Sequence, residues 1–298
     1  MRRAPAVRSP PSEPPEALAR LGGTPLWTEH KAQLIERYLY YFVLVTKHGT
    51  YIDGFAGPQD PEHPEAWAAK LVLESTPRWM RHFYLYDADV RQVARLRALV
   101  AAQPPRDTGR REPRRHVAVT HGDFNAEVHA LLDQGVIRGT EATFCLLDQR
   151  TFECHWATVQ ALALHRHTGR KIELFYFLPN AWLDRALAAQ QDVGVLERWW
   201  GRRDWEILRA ISGLPRAQIV VRRFKDEFGY RSAKALPIYE RADESRVMYY
   251  MIHATDHPDA PPLMARAYRR AVLPKESPQQ LALELGLDSL QPPTDAEE

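Results

Sequence analysis

Two cysteines, Cys145 and Cys154, are all that the 298 residues contain, which excludes a disulfide framework and favours a reducing, cytoplasmic setting. No apolar run approaches the ~18 residues that a membrane helix requires. The Arg2-Arg3 start lacks the apolar stretch of a secretory signal. Neither sign of charge dominates: 40 Lys and Arg against 38 Asp and Glu give a net +2, so a nucleic-acid partner is compatible but not demanded. The three spaced glycines of the dinucleotide fingerprint G-x-G-x-x-G are missing, which counts against a dehydrogenase. Cys145, Cys154 and His155 offer soft metal donors, but zinc takes four at recognised spacing, so no metal is expected.

What is present is an ordinary globular composition, 45% hydrophobic and 26% charged, with length enough for one large α/β domain. Residues 1–20 are proline-rich and poor in apolar side chains, and read as a disordered arm. Residues 276–298 end in Gln-Pro-Pro-Thr-Asp-Ala-Glu-Glu and read as a flexible tail. Between them, 21–275 is expected to be a single domain. Pro104–Arg115 crowds five arginines into a linker that either is solvated or meets phosphate.

Strand and helix patterns alternate through that domain. Thr50–Asp53 is the first strand, Arg81–Asp87 (RHFYLYD) the second and His116–Asp123 the third. Ala142–Asp148 (ATFCLLD) and Ile172–Leu178 (IELFYFL) are continuous apolar runs, as strands buried on both faces should be. Helices are predicted over Thr28–Tyr41, Ala66–Glu74, Ala88–Ala102, Ala126–Asp133 and Trp156–His167. About 180–228 the rhythm gives way to a helical insertion, in which Trp199, Trp200 and Trp205 stand among arginines. Aromatics so placed either pack a helix or stack bases. Lys234–Arg241 and Arg246–Thr255 then read as a closing hairpin. The pattern predicts a doubly wound, mostly parallel seven-stranded Rossmann-like sheet with a C-terminal antiparallel pair.

Four acids fall at successive strand ends, where such a sheet presents its ligand. Asp53 opens the turn Gly54-Phe55-Ala56-Gly57-Pro58-Gln59, whose backbone N–H groups can face a nucleotide-like ligand. Asp87 stands where a carboxylate accepts ribose hydroxyls. Asp123 can receive an adenine amino group while Phe124 covers the ring. Asp148 lies nearest the reacting end, with Arg150, Phe152 and His155 in the same loop. There Asp148 would position or deprotonate an acceptor, Arg150 hold an anionic group and Phe152 stack or exclude water. The competing explanation is structural: each acid caps a helix, and Asp148 and Arg150 brace a loop with Phe152 in the core. Near the end of the chain, His253 and His257 flank Asp256, either as an oriented base or as a hydrogen-bond network.

The segments Trp27-Thr28-Glu29-His30-Lys31, YIDGFAGP at Tyr51–Pro58, LLDQRTFECHW at Leu146–Trp156 and YYMIHATDHPDAPPLM at Tyr249–Met264 resemble the three-Cys-motif partner family, often called TcmP. The match runs from about Trp27 to Val272. It implies a class I methyltransferase-like fold, S-adenosylmethionine as cofactor, and a radical-SAM-like protein carrying the three-cysteine motif as partner. By position, Asp53, Phe55, Gly57, Asp87, Asp123 and Phe124 make the cofactor side and Asp148, Arg150 and His155 the acceptor side, while Thr28 and Lys31, on the helix that would lid the site, either contact the cofactor carboxylate or are a helix cap and a solvated lysine. Two departures matter. Gln59 stands where a glycine usually ends the methyltransferase loop, and Asp148-Gln149-Arg150 lacks the Pro-Pro-aromatic that aims a base nitrogen. The acceptor is therefore a small or nucleic-acid-derived molecule, or the protein is a methyltransferase-like subunit that transfers nothing.

Overall fold

The computed structural model describes residues 26–106, 112–165, 170–240 and 246–272. The N-terminal arm, the C-terminal tail, the centre of the arginine-rich linker and the turn at 242–245 lie outside them. Among the described residues no helix is long and apolar enough to cross a membrane.

Alternation of strand and helix produces one seven-stranded sheet. Its strands are β1 (Thr50–Asp53), β2 (His82–Asp87), β3 (His116–His121), β4 (Thr143–Leu147), β5 (Glu173–Pro179), β6 (Ser232–Tyr239) and β7 (Val247–Thr255). They lie in the order β3-β2-β1-β4-β5-β7-β6. The first five pair in parallel, and β7 runs antiparallel to both its neighbours. The sheet is therefore doubly wound and Rossmann-like with a reversed strand near one edge, as the hairpin pattern predicted.

Helices cover both faces, and the strands alternate to match. Phe144 and Leu146 of β4, with Phe83 and Leu85 of β2, pack towards α1 (Leu26–Thr46), α2 (Ala68–Glu74) and α3 (Val90–Ala101). On the other face Cys145 and Leu147, with Tyr84 and Tyr86, meet α4 (Phe124–Asp133) and α5 (Trp156–Leu164). Burial on both faces is why these strands read as unbroken apolar runs. Between β5 and β6 the chain forms α6 (Leu183–Ala189), α7 (Val193–Trp200), α8 (Ile207–Ala210) and α9 (Gly213–Asp226), which extend the second face. Its tryptophans are packing residues: Trp199, Trp200 and Trp205 are all buried, and the Arg223 guanidinium lies 4.4 Å from the Trp200 ring centre.

Local differences from the sequence reading have simple causes. Thr28 falls in the first turn of α1, because the helix already begins at Leu26. A helix α10 (Ala260–Ala271), which the sequence reading did not include, uses Pro261 and Pro262 in its first turn, where no intrahelical N–H is lost. It packs on the face that holds α1. In the arginine-rich linker, Arg115 turns inward over the Phe83 ring at 4.4 Å and donates to the Leu73 carbonyl. Burial pushes its guanidinium down to about 10.

Candidate functional site

At the carboxyl edge, β1 and β4 are neighbours whose chains continue in opposite directions across the sheet, which opens a switch point between them. Asp53 ends β1 there and is 1% exposed. Its carboxylate accepts from the Tyr51 hydroxyl at 2.8 Å and the Phe55 amide at 3.1 Å. Burial raises the group to about 7, against the pull of those two donors, and the nearby Asp148 and Asp87 charges add to the rise. Asp53, Phe55, Gly57, Gln59 and Asp148 line one cleft together with Trp67 and Leu146.

Asp87 joins this cleft through the loop. Its Oδ2 accepts from the Gly57 amide at 2.9 Å and its Oδ1 from the Asp89 amide at 2.8 Å. A Cβ at position 57 would lie 2.4 Å from that same Oδ2, so only glycine lets the loop come this near. Phe124 sits beneath the other glycine: a Cβ on Gly54 would meet its ring at 2.5 Å. Phe55 closes edge-on against Phe124, with ring centres 6.4 Å apart.

The acceptor-side residues divide. Asp148 does not stand alone: both its oxygens lie 2.8 Å from Lys31 Nζ, in α1, with side-chain exposures of 10% and 2%. Lys31, read either as a cofactor contact or as a solvated lysine, is instead buried and held by Asp148. Phe152 packs edge-on against Trp199 at 5.0 Å, as the structural explanation expected. Gln149 is fully buried and braces the loop, donating to the Phe177 carbonyl and accepting from the Cys154 amide. Arg150 is half-buried and near enough to Tyr249 to act on it electrostatically. The Thr28 side chain lies outside what the structure describes.

Asp123 and His155 form a second cluster beside the first. Asp123 Oδ1 caps α4 by accepting from the Asn125 amide at 2.9 Å, which is the capping role weighed for it. His155 precedes α5, and partial burial lowers its pKa against the opposing field of Asp123. Asn125 ties the two loops together. Its Nδ2 donates to Asp123 Oδ1 and the Glu153 carbonyl, and its Oδ1 accepts from the His155 amide and the Thr158 hydroxyl. Sequence reasoning missed Asn125, since an Asn two residues past a capping Asp carries no signal of its own.

The carboxyl-edge cleft is shut. It encloses ≈ 10 Å³, about the space of one water. Trp67 Nε1 donates to the Ala56 carbonyl at 2.7 Å, and Gln92 Nε2 to the Pro58 carbonyl at 3.0 Å, which draws the Pro58–Trp67 segment onto the loop. The acids and amides offer acceptors and donors of the kind that a nucleoside's hydroxyls and amine pair with, but the enclosed volume does not hold a nucleoside.

The larger cavity, ≈ 500 Å³, lies at the opposite edge, between the end of α1, the start of α10 and the loops entering β4 and β5. On its wall Glu173 accepts from the Tyr38 hydroxyl, from His253 Nε2 at 2.9 Å and from Thr255 Oγ1 at 2.9 Å. His253 therefore belongs to a buried network, and Asp256 accepts from the Arg231 amide.

No family model matches the chain, and no curated protein matches it. Among solved structures, a Legionella pneumophila protein described by the family model DUF519 aligns over 85% of this chain and 95% of its own. The TM-score is 0.47 and the sequence identity 9%.

Proposed function

We propose that this protein is a methyltransferase-like enzyme that binds S-adenosylmethionine at the carboxyl edge of its sheet. The observation that carries the reading is the convergence of Asp53, Asp87 and Asp148 around the Gly57 loop at the switch point. The reversed β7 supports it, since a closing antiparallel pair separates methyltransferase sheets from dehydrogenase sheets. So does the resemblance to three-Cys-motif partner proteins.

In this reading Asp87 exchanges its bond to the Gly57 amide for ribose hydroxyls. Phe55 and Phe124 form the apolar wall for a base, with Asp123 at its rim. When bound, the cofactor supplies an electrophilic methyl group; the chain's own residues supply position, a dry surround and a proton acceptor. Asp148 places a carboxylate beside the reacting end, where a positive sulfonium gains from it.

The shut cleft favours a second reading, a methyltransferase-like subunit that partners a three-Cys radical-SAM-like protein without transferring methyl. The test is incubation with methyl-labelled S-adenosylmethionine and a fractionated cell extract, for wild type and Asp148→Asn. Label reaching an acceptor with wild type, and at least tenfold less with Asp148→Asn while cofactor binding persists, supports the enzyme. Binding without any transfer supports the subunit.

A further inference from the structure

The reading above leaves the acceptor unnamed, and the surroundings of Asp148 bear on it. The Lys31 ammonium sits 2.8 Å from each Asp148 oxygen. Its Nζ also lies 5.2 Å from the Phe177 ring centre and 5.1 Å from that of Tyr249. These groups come from four elements: α1, the end of β4, β5 and β7. A carboxylate flanked by two aromatic rings is the arrangement that recognises an ammonium ion, because the ring faces and the carboxylate each present negative potential. Phe177 and Tyr249 are buried, so the ion would exchange little of this field with water.

The chain's own lysine therefore shows what the enclosure selects. Asp148 also lines the cleft between β1 and β4, which joins this enclosure to the site. The other ionisable groups around it are Asp53, Asp87 and, in the Asp148 loop, Arg150, which acts on Tyr249 against the field of Asp148.

We propose that Asp148, Phe177 and Tyr249 form an ammonium-binding subsite, occupied by Lys31 in the closed cleft, and that the acceptor is a primary amine whose ammonium takes the place of Lys31, gives a proton to Asp148, and as the neutral amine forms the new N–C bond while the S–CH3 bond of the sulfonium breaks to leave a thioether. This rests on the methyltransferase reading. It makes Lys31 a plug: α1 must withdraw its side chain before the acceptor can enter.

The experiment has two arms. In the first, thermal unfolding of Lys31→Ala is followed with n-butylammonium and with the neutral isostere n-butanol. The variant should melt below wild type and recover with millimolar n-butylammonium, but not with n-butanol. The double variant Lys31→Ala/Asp148→Asn should lose the selectivity. Equal responses to the two additives would overturn the subsite. In the second arm, the labelled product of the wild-type reaction is identified. An N-methyl amine supports the proposal. Label on a hydroxyl, carboxyl or carbon acceptor overturns it and leaves the methyltransferase reading intact. Cofactor that binds but labels nothing removes the acceptor assignment, and any butylammonium rescue then marks only a lysine that staples α1. Lack of cofactor binding removes the parent reading itself.

Discussion

The two edges of the sheet hold buried acids on opposite terms. At the amino edge Glu173 sits beside a ≈ 500 Å³ cavity, and each of its oxygens is met by a donor from a neighbouring element. At the carboxyl edge Asp53 is equally buried, yet its pKa rises to about 7 because its two donors do not offset desolvation and two further acids stand near. Asp148 depends on a lysine drawn from a helix 117 residues away in sequence. The larger hollow is thus the more settled region, and the closed cleft the more strained. Volume alone points to the amino edge, and unbalanced charge at a topological switch point to the carboxyl edge.

The comparison predicts its largest effect at the amino edge. Glu173→Ala leaves Tyr38, His253 and Thr255 without their acceptor, at about 1–3 kcal/mol for each orphaned group. A loss of about 5 kcal/mol in urea unfolding is expected, lowered somewhat if the adjoining cavity admits water. Where the variant still folds, ligand binding at the far edge should persist. If stability is unchanged, the network is not what anchors α1 and β7 to β5.

This contrast also shows what the sequence could reveal. The strands were legible because β4 and β5 are buried on both faces, and the acids at their ends because each interrupts an apolar run. The closing pair was legible from two alternating segments. What stayed hidden depends on tertiary contact. Glu173 reads as one polar residue at the start of IELFYFL, and nothing local says that Tyr38, His253 and Thr255 will converge on it. Lys31 reads as a solvated helix residue until α1 is laid across β5 and β7. Trp67 gives no hint that its indole N–H fastens the cleft by way of the Ala56 carbonyl.

A smaller effect separates the edges by pH. The Asp53 carboxyl titrates at 3.8 when unfolded and about 7 when folded, so between those limits the native state keeps a proton that the unfolded chain has lost. Its contribution to stability is greatest at the acid end and falls as pH rises from about 4 to 7, by no more than about 4 kcal/mol. Asp53→Asn should flatten that slope in unfolding measurements, matching wild type near pH 4 and exceeding it in stability above pH 7. A wild-type profile with no loss across this window would mean that Asp53 is ionised and better compensated than its burial implies.

The central claim is that the carboxyl edge is a nucleoside-binding site held shut. Calorimetric titration with S-adenosylhomocysteine tests it most directly, because binding precedes every catalytic statement and needs no acceptor. Saturable one-to-one binding at micromolar concentrations, abolished by Asp87→Ala in a variant that remains folded, is the predicted result. Absence of any heat of binding to the wild-type protein, or binding that survives Asp87→Ala undiminished, would contradict it.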